Sequence, residues 1–247
     1  MSHPLVSNAS SAPPARPHGA PASRRPGAVN WLSVAAALAV AGSAVRALAF
    51  TPVEALQGPA QKIFYVHVPS AVVALYLALG VLAVTSALYL WLKDERLDRM
   101  AESAAEVGFV FMSVVIVTGP IWARPIWGVW WTWDARLTLT LFLWFVMFGY
   151  LVMRGAVDDP SLRARYAAVL GLLAPLLVPF IHLSVVMFRT LHPQAIVLKP
   201  SAPSMPGEMV TTWLVAQAAF VLLFVALLRA RYRYGVERDR LAALESR

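Results

Sequence analysis

Two histidines and one tryptophan-rich stretch carry the chemistry this sequence offers. His67 stands in Ile63-Phe64-Tyr65-Val66-His67-Val68-Pro69, and His192 in Arg189-Thr190-Leu191-His192-Pro193. Between them Ile121 to Arg136 reads IWARPIWGVWWTWDAR. It holds Trp122, Trp127, Trp130, Trp131 and Trp133, the acid Asp134, and the cations Arg124 and Arg136. Two neutral imidazoles, with no cysteine in the chain and no carboxylate cluster beside them, are too few for zinc, which takes three or four protein ligands. They suit an iron that receives four nitrogens from a porphyrin and its two axial ligands from protein. Tryptophan faces pack on such a flat disc. Arginine forks pair with its carboxylate tails. These residue types therefore point to haem, with His67 and His192 as axial ligands and the tryptophan stretch as platform.

The elements that position these residues are membrane helices. The chain is 59% hydrophobic and 14% charged, against about 25% charged in a soluble domain. Apolar runs lie at approximately 30–50, 69–92, 105–123, 137–153, 165–187 and 210–228. A helix crosses a bilayer with about 20 apolar residues, and a crossing segment must satisfy its own backbone polar groups. The expectation is an all-α, polytopic membrane protein of six helices. Its membrane domain spans 30–230. Residues 1–29, rich in Pro and Ala, are expected to be a disordered tail that includes His3 and His18, and 231–247 a basic tail. Ser23-Arg24-Arg25 ahead of the first apolar run resembles a signal flank, but five more apolar runs follow, so this run is read as a retained helix.

Charge orients the bundle. Segments 1–29, 93–104, 154–165 and 229–247 hold 15 of the 21 Lys and Arg, whereas 51–68, 124–136 and 188–209 hold 5. The positive-inside rule then places both termini in the cytoplasm. Both histidines and the tryptophan stretch fall on the outer face, which is periplasmic in a bacterial inner membrane. The net charge of +8 is thus a topology signal and calls for no nucleic acid. Absence of cysteine excludes disulfides, iron–sulfur centres and thioether attachment of haem. No Gly-rich phosphate loop and no Ser/His/Asp arrangement is present, so neither ATP use nor hydrolysis is expected of this chain.

A helix over Trp127–Asp134 would put Trp127, Trp130, Trp131 and Asp134 on one face, with Trp133 pointing away. An aromatic belt is the competing explanation, since tryptophan is enriched at membrane interfaces. A belt scatters its aromatics over many helix ends, yet five of the nine tryptophans fall within twelve residues here. Pro69 suits the first turn of a helix, which places His67 at the mouth of the second helix. His182 follows Pro175 and Pro179 inside the fifth run. The prolines are expected to kink the helix and free carbonyls, and His182 reads equally as a functional group or as a partner of such a carbonyl. Glu106 is expected at an interface, and Glu54 and Glu208 at the rim.

The string Trp127-Gly128-Val129-Trp130-Trp131-Thr132-Trp133-Asp134-Ala135-Arg136-Leu137-Thr138 resembles the tryptophan-rich signature of haem-handling proteins in cytochrome c biogenesis. Phe64-Tyr65-Val66-His67-Val68-Pro69 and Thr190-Leu191-His192 are similar to the six-helix CcmC branch, and the likeness covers about residues 31–230. The resemblance implies non-covalent haem b held at the positions of His67 and His192 against the tryptophan platform. It implies delivery of that haem to the chaperone CcmE, beside the CcmA/CcmB transporter and CcmD. Many members carry paired tryptophans shortly before the second histidine. This chain has Val186-Met187-Phe188-Arg189, which offers Arg189 as a propionate partner instead. Two other functions compete. A b-type electron-transfer subunit would hold haem between histidines within helices, often at two depths. A permease would show polar or broken-helix features at the midplane, which apart from His182 is bare.

Overall fold

The computed structural model describes residues 30–194, 196, 199–202 and 204–245; His3, His18 and the expected disordered tail 1–29 lie outside them. Among the described residues there are six helices long and apolar enough to cross a membrane. They are α1 Trp31–Phe50, α2 Pro59–Leu92, α3 Glu95–Trp127, α4 Ala135–Ala156, α5 Pro160–Met187 and α6 Gly207–Glu245. No strand occurs among the described residues, so the chain is all-α as expected.

Most of these helices outrun the apolar segment that announced them, because their ends are built by capping chemistry in the polar flanks. Asp94 accepts from the Arg96 N–H at 2.8 Å, so α3 starts at Glu95 and not near 105. Asp159 accepts from the Leu162 N–H at 2.7 Å, with Pro160 at the first helical position, where its missing N–H costs nothing. Of the charged segments 93–104 and 154–165, only 93–94 and 157–159 accordingly stay outside helices. At the far terminus α6 continues to Glu245, so the basic segment expected as a tail is helical that far.

Two helices are irregular where they approach the histidines. α2 opens as a 3-10 turn at Pro59–Ile63, runs as α-helix over Phe64–Val72, widens to a π-helix at Val73–Ala78, and returns to α-helix at Leu79–Leu92. Pro59 starts the helix, so Pro69 lies inside it and His67 sits on a helix and not in a loop. Proline cannot donate to the carbonyl four residues back, and the π segment follows directly. α5 passes through a 3-10 turn at Ala174–Leu176, centred on Pro175, in line with the expected kink.

α2 and α3 form the middle of the bundle. α6 packs on α1, α2 and α3, while α5 packs on α2 and α4. Leu79, Leu82, Met112, Leu143, Met147 and Ile181 are almost wholly enclosed where these helices meet. Small residues let α2 and α3 come close: a Cβ at Gly108 would lie 2.7 Å from the Ala78 Cβ.

One end of the bundle is closed by ion pairs. Glu102, 7% exposed, faces Arg154 at 3.4 Å, Arg231 at 3.6 Å and Arg238 at 2.8 Å. Asp98 takes both Arg154 nitrogens at 2.6 and 2.9 Å, Glu106 takes Arg231, and Asp239 takes Arg99 at 2.8 Å. The network ties α3 to α4 and α6. Glu106, expected as an interfacial charge, is one of its members.

Candidate functional site

At the other end, the start of α2, the end of α3, the start of α4 and the end of α5 enclose a cavity of about 650 Å³. This falls within the range of small-molecule sites, about 300–1,000 Å³. His67 and His192 both line it, as do Trp122, Trp127, Trp131 and Arg136. Leu75, Val115, Ile181 and Val185 make its deeper wall apolar.

Hydrogen bonding sets the tautomer of each histidine. The Thr118 hydroxyl donates to the Val114 carbonyl at 2.6 Å, so it accepts from His67 Nδ1–H at 2.9 Å. His192 Nδ1–H donates to the Pro193 carbonyl at 2.8 Å. In both rings Nδ1 is engaged and the lone pair remains on Nε2. Burial, and then the neighbouring Arg136 guanidinium, pull the His192 imidazole down to about 4, so it is neutral at pH 7. Trp122 meets the His67 ring edge-on, centroids 5.7 Å apart, and is itself held by its N–H to Gln57 Oε1 at 3.1 Å.

The tryptophan stretch is not a helix across its centre. Gly128 takes a left-handed conformation (φ 77°) and its N–H closes α3 on the Arg124 carbonyl at 3.0 Å. Residues 128–130 are bends and 131–134 irregular, reaching an extended Asp134. The shared face expected for Trp127, Trp130, Trp131 and Asp134 therefore does not form. Trp127 and Trp131 reach the cavity; Trp130 (59% exposed) and Trp133 (77% exposed) face outward. Arg124 turns back to the Gly128 carbonyl and does not line the cavity. Arg189 is not in the lining, whereas Lys199 is.

Asp134 also stays out of the lining. It caps α4: Oδ1 accepts from the Leu137 N–H at 3.0 Å, and Oδ2 from the Thr132 hydroxyl at 3.0 Å. The cap sets where α4 begins and hence where Arg136 stands. Asp134→Ala is expected to cost about 1 kcal/mol of stability, a usual value for a lost N-cap, read as a lower Tm.

Some lining residues carried no sequence signal. Trp213 on α6 is buried against Phe64 and Tyr65, and its indole N–H has no partner among the described residues. Trp131 also presents a buried, unpartnered indole N–H. Tyr76 comes from the π segment of α2 and donates its hydroxyl to His182 Nε2 at 2.6 Å, while His182 Nδ1–H donates to the Val178 carbonyl at 2.8 Å. Val178 lies one turn back on the same helix. It is not one of the carbonyls the prolines free, which belong to Gly171 and Pro175.

Comparison with known proteins places the chain in a family. The family model described as CcmC, Heme exporter protein C, matches residues 21–247. The chain is similar to the Heme exporter protein C of Bradyrhizobium diazoefficiens, 36% identical over 215 residues, or 87% of this chain and 81% of that protein. It is similar to that of Haemophilus influenzae, 36% identical over 194 residues and 78% of each chain. The protein of the same name from Paracoccus denitrificans is 36% identical over 203 residues, covering 80% of this chain and 82% of its own. With one family model spanning nearly the whole chain, and relatives above 30% identity over most of both lengths, this protein belongs to the CcmC, or Heme exporter protein C, family.

Proposed function

We propose that this membrane protein binds haem b non-covalently on the periplasmic face of the bacterial inner membrane and delivers it to the haem chaperone CcmE. It does so beside the CcmA/CcmB transporter and CcmD. A role in haem export and cytochrome c biogenesis follows from the family. The observation that carries the finer reading is the pair of histidines on one cavity, each with Nδ1 engaged and, among the described residues, no partner at Nε2. Iron in a porphyrin has two axial positions left for such donors and no more.

The remaining donor set fits the same ligand. Trp122, Trp127 and Trp131 provide flat walls. Arg136, Lys199 and the two unpartnered indole N–H groups provide donors for two carboxylates. Thr118 and Pro193 hold the imidazole rings, which fixes orientation and raises the basicity of the free nitrogen. With coordination and stacking but no thioether, the haem stays exchangeable, as delivery to a partner requires. The orientation rests on the Lys and Arg bias, which puts the cavity on the side poorer in positive charge.

Co-expression with CcmE tests this reading, with haem bound covalently to the chaperone as the readout. Trp131→Ala is expected to lower the yield several-fold, because it removes a wall and a donor. Trp130→Ala is expected to leave haem on the membrane protein unchanged, since that ring faces outward. Full loading of the chaperone by Trp131→Ala would remove the platform from the proposal. Stable redox cycling of the bound haem with no transfer would favour the electron-transfer reading.

A further inference from the structure

The cavity contains a third imidazole, that of His182, on the wall formed by α5. All three rings share one tautomer: each donates from Nδ1 to an acceptor of the chain, namely Thr118 Oγ1, the Pro193 carbonyl and the Val178 carbonyl. They differ at Nε2. Those of His67 and His192 have no partner among the described residues, whereas that of His182 is covered by the Tyr76 hydroxyl at 2.6 Å. The cover is a side chain and not backbone, and one rotation about the Tyr76 side chain removes it. Tyr76 has room to turn, being 47% exposed and itself part of the cavity lining. Tyr76 sits on irregular backbone, in the π-helix Val73–Ala78, and His182 faces it from the regular α-helix Leu177–Met187. Such irregularities cluster at functional positions.

We propose that His182 is a third iron-ligating imidazole of this cavity, kept in reserve by Tyr76, which takes over one axial position when His192 lets go. The proposal rests on the haem reading of the cavity. Among the described residues, no group of three or more His, Cys, Asp or Glu side chains is placed to hold one metal ion, so His182 is an alternative to His192 and not an addition to it. The exchange breaks the iron–Nε2 bond at His192 and forms one at His182, with no change of oxidation state. Tyr76 keeps its proton and gives up one acceptor. A reserve ligand of this kind lets the outermost imidazole leave without stranding the iron, which suits a site that must hand its ligand to a partner.

The test is haem titration into the purified full-length protein, followed by absorption spectra and Kd. His192→Ala is expected to retain a low-spin, six-coordinate fraction supplied by His67 and His182. Adding His182→Gln, which keeps a polar side chain of similar length, is expected to convert that fraction to high-spin. Adding Tyr76→Phe to His192→Ala is expected to enlarge the low-spin fraction and tighten binding about five- to tenfold, the worth of one hydrogen bond that no longer competes. Identical spectra and Kd in His192→Ala, His192→Ala/His182→Gln and His192→Ala/Tyr76→Phe would overturn the reserve ligand while leaving His67 and His192 in place. Wild-type spectra in both His67→Ala and His192→Ala would overturn the haem reading and this proposal with it.

Discussion

His67→Ala is expected to abolish the six-coordinate spectrum of the haem-loaded protein and to weaken haem binding by more than about 100-fold. The lower bound comes from groups one step further out, since losing a hydrogen-bond partner of a ligating histidine already costs about 10–100-fold. Thr118→Val should show that smaller loss, because it leaves the imidazole but frees its Nδ1 from the hydroxyl 2.9 Å away. The fold should survive both changes. His67 is half-buried at the cavity and contributes nothing to the enclosed core around Leu79, Met112 and Met147. Imidazole added to His67→Ala should restore the low-spin band by occupying the vacated position, which a merely structural histidine would not permit. Absorption spectra with and without added imidazole read all three outcomes, and a wild-type spectrum in His67→Ala would remove it as a ligand.

How much of this was legible in the sequence depends on the range of the interaction. The six crossings follow from apolar composition, and the break at Pro175 from the chemistry of proline. The capping aspartates are local as well: Asp94, Asp134 and Asp159 each stand directly before the helix they start. Asp134 nevertheless looked like part of the haem wall, because the tryptophans around it suggested a continuous helix. Gly128 decides against that helix by taking the left-handed conformation and ending α3. Pro69 likewise suits a helix start and would put His67 at the helix mouth, but Pro59 provides an earlier start that puts it inside the helix. The cavity partners could not be read at all. Thr118 meets His67 from 51 positions away and Tyr76 meets His182 from 106, and such pairs are fixed by how helices rotate against each other. The positive residues illustrate the same limit. Counted by segment they gave an orientation, but Arg154, Arg231 and Arg238 are also structural, because the bundle brings them to one buried glutamate.

That glutamate gives the largest expected effect on stability. Glu102→Ala is expected to destabilise the protein by about 1–3 kcal/mol, less than the loss of a fully buried ion pair, because Arg238, the partner left short of a counter-charge, is 39% exposed. Arg154, 8% exposed, keeps Asp98, and Arg231 keeps Glu106, but Arg238 loses two bonds at 2.8 and 3.0 Å and retains only Asp239, to which Arg99 also bonds. A cavity of about 280 Å³ lined by Glu102, Arg154 and Arg238 adjoins the position, so water can replace part of the lost carboxylate. Glu102→Gln should cost less, because the amide oxygen still accepts from Arg238 although the charge is gone. An exposed pair provides the contrast: Glu237 and Arg240 are more than half exposed and 4.0 Å apart, and Glu237→Ala should cost under about 1 kcal/mol. Thermal unfolding in one detergent orders the three variants. The haem spectrum of Glu102→Gln should meanwhile match that of wild type, because Thr118 and the cavity lie about 24 Å further along α3. A Tm for Glu102→Ala no lower than that of Glu237→Ala would mean that the network is not what holds α6 against α3 and α4. A changed haem spectrum at unchanged Tm would mean that the two ends of the bundle are coupled through α3, the one helix that carries both Glu102 and the Thr118 partner of His67.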